Sequence, residues 1–332
     1  MITAVQKRAH YQCAFINKVV REHRALRRDL DIVVFGSIAM DEVVPVTSFA
    51  LEETTPIESF YQYPGGSGAT VAVGLARLGA SVGFAGKVGC DVPGQILVER
   101  ILMEKVDLSQ LVASSELATL RTIILIDKEG KKRIIVPTNN VALSLNSPSE
   151  IEWKLVDKTS AIYIGEVFVE IAELIASYAK SRGKPVFYRL LTPYAKLGLE
   201  KVLPVIRNAK VIYTNAEGWS RLKKTSLSLS DPTDLLKFGP DIVIITRGEL
   251  GCTVYTGGKA IEIKAPAVKA IDSTGAGDAF AAAFTRLILD KKSVEEAAQY
   301  ASTAAALSTT KRGAWVSMPH HEEICQRASV HG

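Results

Sequence analysis

From Ala161 onward the chain repeats one pattern: a short apolar run, then a helical stretch. The runs are AIYIG, PVFY, KVIYT and DIVIIT, and between the first three lie FVEIAELIASYAKSRG and KLGLEKVLPVIRN. Strands that are apolar on both sides have to be covered on both sides, so this order predicts a parallel sheet with helices on each face. IVVFG at 32–36 reads as a further buried strand of the same kind. Two β-rich pieces, near 42–63 and 119–136, break the alternation. The second, TLRTIILID followed by KEGKK and RIIV, has the form of a hairpin with a charged turn. A length of 332 residues, 47% hydrophobic and 23% charged, allows one large α/β domain carrying an inserted small sheet.

Within that frame the stretch Ile271 to Phe280, IDSTGAGDAF, is the densest in chemistry. Small residues at 272–277 run straight into the helical AFAAAFTRLIL. The first N–H groups of a helix lack intrahelical partners and carry a partial positive charge. Gly275, Ala276 and Gly277 leave no side chain to keep a phosphate off those donors, so the turn can act as an anion hole. Asp278 falls in the first turn, where a carboxylate can take the proton of an attacking hydroxyl. Taken alone, the same residues also describe a capped turn with a dipole-friendly acid.

Other segments supply matching parts. Asp41 lies just beyond the first strand, where open α/β sheets bind ligands. Pro64 to Thr70, PGGSGAT, leads into VAVGLARLG, a second glycine turn before a helix. It lacks G-x-G-x-x-G spacing, and no G-x-x-x-x-G-K-[ST] occurs, which excludes a dinucleotide fingerprint and a P-loop. Asn215, Thr246, Gly248 and Gly251 lie at strand ends on one rim, a row of small groups fit to hold a nucleotide. The alanine-rich Val294–Thr310 reads as a helix packed on something flat, another helix or an adenine ring.

Charge and rare residues remove other classes. The net +5 is local, because residues 1–30 carry seven Lys and Arg against Glu22 and Asp29. The rest of the chain balances, so nucleic-acid binding is not expected. That Arg-rich start reads as a basic surface helix or an extension with little structure, in preference to a transit peptide. No apolar run reaches membrane-spanning length. Cys13, Cys90, Cys252 and Cys325 lie far apart and read as single thiols in a reducing, cytoplasmic setting. All five histidines lie at or before residue 23 or after 319. Core chemistry built on histidine is therefore excluded, and Asp, Glu, Lys and backbone groups remain.

Two blocks then carry a family resemblance. Gly65-Gly66 with its helix and the following Gly86-Lys87-Val88-Gly89-Cys90-Asp91 form one, and Asp272 to Phe280 form the other. With the hairpin between them, the chain resembles the ribokinase-like carbohydrate kinases (pfkB family) over nearly all of 31–318. The resemblance implies an α/β ribokinase-like sandwich, a central mostly parallel sheet covered by helices, with a small β-sheet lid. It implies one kinase domain over 31–319, after a basic 1–30 extension and before a 320–332 tail. By position, Asp278 would be the general base with Gly275, Ala276 and Gly277 as anion hole. Asp41, Gly65, Gly66, Thr70 and Arg189 would face the substrate. Asn215, Thr246, Gly248, Gly251, Thr274 and Ser302 would line the nucleotide. ATP with Mg²⁺ is the implied donor, Glu217 an indirect Mg²⁺ contact, and K⁺ a candidate cation beside Asp272. A homodimer through the lid also belongs to this picture.

The chain departs from the family pattern at three places: Thr70 stands where Asn is usual, the acid of N-x-x-E comes early at Glu217, and Arg189 replaces an Asp after PVFY. Two functions of different class follow, a working kinase and a non-catalytic binding or scaffold protein. The intact Asp278, Gly275 and Gly277 favour the kinase. Its substrate is open at this point between a neutral sugar, a sugar phosphate and a nucleoside. Arg121, Arg133 and Arg189 are the candidates for holding a substrate phosphate.

Overall fold

A computed structural model describes residues 4–26, 29–49, 57, 59–128, 132–136 and 145–329. In chain order the strands are β1 (Leu30–Phe35), β2 (Ala39–Pro45), β3 (Tyr61–Gly65), β4 (Val82–Ala85), β5 (Lys87–Gly89), β6 (Val112–Ser114), β7 (Leu120–Ile126) and β8 (Lys132–Ile135). They continue with β9 (Thr159–Ile164), β10 (Val186–Arg189), β11 (Val211–Asn215), β12 (Ile242–Thr246), β13 (Cys252–Thr256) and β14 (Lys259–Ile263). The helices are α1 (Ala4–Leu26), α2 (Ser67–Arg77), α3 (Val92–Met103), α4 (Trp153–Asp157), α5 (Val169–Ser181), α6 (Thr192–Ala195), α7 (Leu199–Ile206), α8 (Ala216–Lys223), α9 (Ala276–Leu289), α10 (Val294–Ser308) and α11 (His321–Ser329).

The main sheet has eight strands in the order β14-β13-β12-β11-β10-β9-β1-β4. From β4 to β12 neighbours are parallel, and the β13–β14 hairpin closes one edge antiparallel. Strand periodicity sorts its side chains to two faces. Ile32 and Val34 join one core with Leu75 of α2 and Phe284 of α9. Val33 and Phe35 join the other with Ile171 and Ile175 of α5 and Val202 of α7. Both cores need every β1 residue after Asp31 to be apolar, which is what the sequence supplies. α2 and α9 approach closely, since a Cβ at Gly74 would stand 2.9 Å from that of Ala282.

A second sheet, β3-β2-β7-β8, lies against the 272–277 loop and Gly313, which Lys132 of β8 and Tyr63 of β3 reach. It collects both β-rich segments expected to form the lid, and β7–β8 is the expected antiparallel hairpin. β2 starts earlier and β3 ends later than the 42–63 boundary, so Asp41 and Gly65 lie within lid strands. Residues 50–56, 58 and the hairpin turn at 129–131 lie outside the described residues.

The two ends of the chain differ from the expectation. α1 is no loose basic extension: Ile16, Val19 and Val20 are buried in the main core, and i, i+3, i+4 spacing puts them on one face. Leu108 N–H donates to His23 Nδ1 at 3.1 Å, and Arg24 Nε donates to Ser109 O at 2.9 Å. Cys13 and Cys90 are joined in a disulfide, their Cα atoms 4.7 Å apart, so only Cys252 and Cys325 fit the expected single thiols. The C-terminal segment is likewise docked, with Ile324 fully buried. Ile16→Ala should therefore cost about 2–4 kcal/mol in denaturant unfolding, as core truncations do. A change within about 0.5 kcal/mol, usual for surface sites, would return α1 to the status of an appendage. No described helix is long and apolar enough to cross a membrane.

Candidate active site

The parallel strands end on one rim, and the loops leaving them hold most of the residues singled out above. At the centre is the start of α9. Gly275 takes a left-handed conformation (φ 83°, ψ −4°) that glycine adopts without steric cost. This turns the chain into the helix, and Asp278 follows in its first turn, 7% exposed. Ser67 Oγ donates to Asp278 Oδ1 at 2.5 Å, and the Arg189 guanidinium forms an ion pair with the same carboxylate. Arg189 Nη1 also donates to Ser67 Oγ at 2.9 Å. Arg189 lies directly under the Gly275-Ala276-Gly277 turn, where a Cβ at Gly277 would sit 2.7 Å from its Nη2. The last residue of β10 and the first turn of α9 are thus welded through charge.

On one side of this centre lies an acidic hollow. Asp41 of β2 rests against Gly65 of β3, where any Cβ would run into its carboxylate. Gly66, at φ 84°, brings the chain from β3 into α2, with room for no side chain against Ile38. Glu166, just past β9, accepts from Ser67 N–H at 3.1 Å and from the Ser37 hydroxyl. It fixes the end of β1 to the start of α2, which approach so closely that a Cβ on Gly36 would lie 2.8 Å from the Cα of Gly68. Burial, reinforced by the nearby charge of Glu166, pushes the Asp41 carboxyl up to about 7, against a hydrogen bond from Thr122. Burial also raises Glu166, opposed by Arg189 and by backbone N–H groups. Thr70 is fully buried and its hydroxyl turns back to Gly66 O at 2.8 Å.

The raised Asp41 has a consequence for stability. Between about pH 4 and 7 the folded chain holds a proton that the unfolded chain releases, so stability falls as pH rises through that window. Asp41→Asn should remove this slope and raise stability at pH 8 by about 2–4 kcal/mol. Parallel pH curves for the two proteins, from urea unfolding, would contradict it.

On the other side lies the rim expected to hold the nucleotide. Asn215 and Thr246 are register partners on β11 and β12. Asn215 caps α8 by accepting from Gly218 N–H at 2.6 Å. Gly248 and Gly251 have φ of 59° and 87°. Ser302 of α10 donates to Lys264 O at 3.4 Å. A cavity of about 40 Å³ is bounded by Arg189, Asn215, Thr246, Gly277 and Phe280, so Arg189 borders this side as well. The alanine-rich α10 packs on α9, one of the two kinds of flat surface expected for it.

Asp272 is tied down. It accepts from Thr274 N–H at 2.9 Å, from Thr274 Oγ1 at 2.7 Å and from Gly313 N–H at 3.1 Å. Lys132, from the lid strand β8, brings its ammonium to 2.5 Å from Asp272 Oδ1. Burial alone would raise this carboxyl, but Lys132, Thr274 and Gly313 hold it below the usual range. Glu217 is exposed and faces Arg221 at 3.5 Å. Among the described residues no group of three or more His, Cys, Asp or Glu is placed to hold a metal. That donor set does not fit an all-protein Mg²⁺ site.

Sequence reading missed Ser67, Glu166 and Lys132. Glu166 had a signal, since it follows a buried strand just as Asp41 does. The candidate phosphate-binding arginines are all engaged: Arg121 with Glu42, Arg133 over the ring of Phe49 at 4.6 Å, and Arg189 with Asp278.

Comparison with known proteins accords with this arrangement. The family described as pfkB family carbohydrate kinase matches residues 29–321. The ribokinase of Haemophilus influenzae is 31% identical over 305 residues, spanning 89% of this chain and 97% of its own. A probable chloroplastic fructokinase-6 of Arabidopsis thaliana is 29% identical over 313 residues, spanning 88% and 81%. The nucleoside kinase of Methanocaldococcus jannaschii superposes with a TM-score of 0.80 at 24% identity, over 90% of this chain and 98% of its own. The Arabidopsis thaliana ribokinase solved with ribose and ATP gives 0.77 at 24%, with the same coverage. At such identities these two speak for the fold, which is that of the ribokinases. The match across 29–321, together with the ribokinase at 31% identity, makes the chain a member of the pfkB family of carbohydrate kinases.

Proposed function

We propose that this protein transfers the γ-phosphoryl group of ATP, supplied as its Mg²⁺ complex, to a hydroxyl of a neutral sugar or closely related polyol. The observation that carries the reading is the junction at α9: a buried carboxylate, a glycine-lined helix N-terminus and an arginine converge where the acidic hollow meets the nucleotide rim. Asp278 takes the proton of the acceptor hydroxyl as that oxygen attacks. The N–H groups around Gly275, Ala276 and Gly277 face the charge on the phosphoryl in transit, and ADP leaves along the rim of Asn215, Thr246, Gly248 and Gly251, with Thr274 and Ser302 beside it. Such chemistry depends on positioning and charge compensation, which these groups supply without histidine. Mg²⁺ would arrive on ATP and neutralise the polyphosphate, since no group of three or more His, Cys, Asp or Glu among the described residues is placed to hold it alone.

The hollow favours a neutral acceptor. Asp41 and Glu166 are carboxyl groups fit to exchange hydrogen bonds with hydroxyls, and Gly65 and Gly66 let a sugar approach the backbone. Arg121 and Arg133 are committed elsewhere, and Arg189 borders the phosphoryl path. None of these three arginines is therefore reserved for a substrate phosphate. A nucleoside kinase of the same family is the second acceptor reading. The exposed Tyr61, Ile134 and Ile135 of the lid sheet support a homodimer through the lid. Both acceptor readings are tested by acceptor-dependent ADP formation, taken up at the end of the Discussion.

A further inference from the structure

Lys132 is not explained by any part of this reaction. It projects from β8, an edge strand of the lid, yet its Nζ lies 2.5 Å from Asp272 Oδ1 and 2.5 Å from Thr274 Oγ1. Its side chain is 21% exposed and that of Asp272 is 9%. Thr274 N–H, Thr274 Oγ1 and Gly313 N–H are the other donors to the same carboxylate. Three of these four donors, Lys132 Nζ, Thr274 N–H and Thr274 Oγ1, converge on Oδ1 and saturate it, and Gly313 N–H takes one position on Oδ2. A K⁺ ion beside Oδ1 would find that oxygen already saturated and would face the Lys132 ammonium at close range. The residues present do not fit the monovalent cation expected from the family resemblance.

We infer that Lys132 is a tethered cation: its ammonium compensates the buried charge of Asp272 and orders the 272–277 loop, so that the protein needs no dissolved monovalent ion. The charge also arrives with the lid. β8 pairs with β7, β7 pairs with β2, and β2 carries Asp41. The seated lid thus brings the substrate-facing carboxylate and the loop-ordering cation in one piece. A dissolved ion orders the loop whether or not the lid is seated, whereas Lys132 orders it only when the lid is down.

The activity arm of the test rests on the proposed kinase reading; the stability arm does not. Wild type and Lys132→Ala are compared at constant ionic strength in tetramethylammonium, Na⁺, K⁺ and NH₄⁺ salts. Melting temperature is read without nucleotide or sugar, and kinase turnover is read separately. Wild-type turnover should differ by less than about twofold among the salts, while Lys132→Ala should lose at least about tenfold in tetramethylammonium, the scale of a lost preorganised charge. K⁺ or NH₄⁺, small enough to enter the vacated space, should restore much of that loss and raise the variant's melting temperature selectively. Wild-type melting should not respond selectively to K⁺. Wild-type dependence on K⁺ in either readout, or a variant that no small cation rescues, would overturn the inference. Absence of turnover with every acceptor would sink the kinase reading alone, because melting would still report on the cation.

Discussion

Asp278→Asn should lower kcat by about two to four orders of magnitude, the range for losing a positioned proton acceptor. Asn keeps the size of the side chain and can still accept from Ser67 and Arg189, but it cannot take the acceptor's proton. ADP binding should persist, because the proposed anion hole consists of backbone N–H groups that the change leaves in place. From sequence alone the stability cost is that of a first-turn acid, about 0.3–1 kcal/mol. The ion pair with Arg189 raises that expectation to about 1–3 kcal/mol, as for hydrogen bonds to charged groups. If the variant keeps more than about a tenth of wild-type kcat, Asp278 has to be given up as the base.

Arg189→Ala carries the second large effect. In the family pattern an Asp follows this strand, and an arginine there reads as a hook for a phosphate on the substrate. Its place between Asp278, Gly277 and the nucleotide rim gives it a different job. In the proposed reaction, a guanidinium at that junction would face charge that develops on the phosphoryl group in transit. Removing it should lower kcat by about 10²–10³, on the scale of losing one oriented donor to a transition state. The loss should be the same for neutral and phosphorylated acceptors, and ADP affinity should change little. Arg189→Lys should recover part of the activity, keeping the charge and losing the fork. A raised KM confined to phosphorylated sugars, with kcat intact, would restore the substrate-phosphate role.

What sequence reading reached was local. Asp272 to Phe280 is contiguous, and its glycines and helix are legible because capping physics acts within a few residues. The main sheet was legible for the same reason, since each strand had to be apolar on both faces. What it missed depends on tertiary pairing. Cys13 and Cys90 are 77 residues apart with no local signal that joins them. In α1 the buried stripe of Ile16, Val19 and Val20 was present, but the surrounding charge hid it. Arg189 meets Asp278, and Lys132 meets Asp272, only because the sheet and lid converge on one rim. Glu166 was the avoidable omission, since it obeys the same strand-end rule as Asp41.

The central claim is tested most directly by acceptor-dependent ADP formation from MgATP across neutral sugars, sugar phosphates and nucleosides, with product mass recorded. The account predicts that a neutral sugar or polyol gains one phosphoryl group and that sugar phosphates are poor acceptors. A nucleoside as best acceptor would keep the chemistry and correct the substrate. ADP formation that no acceptor stimulates, in a folded protein that binds ATP, would contradict the account and return the chain to a binding or scaffold role.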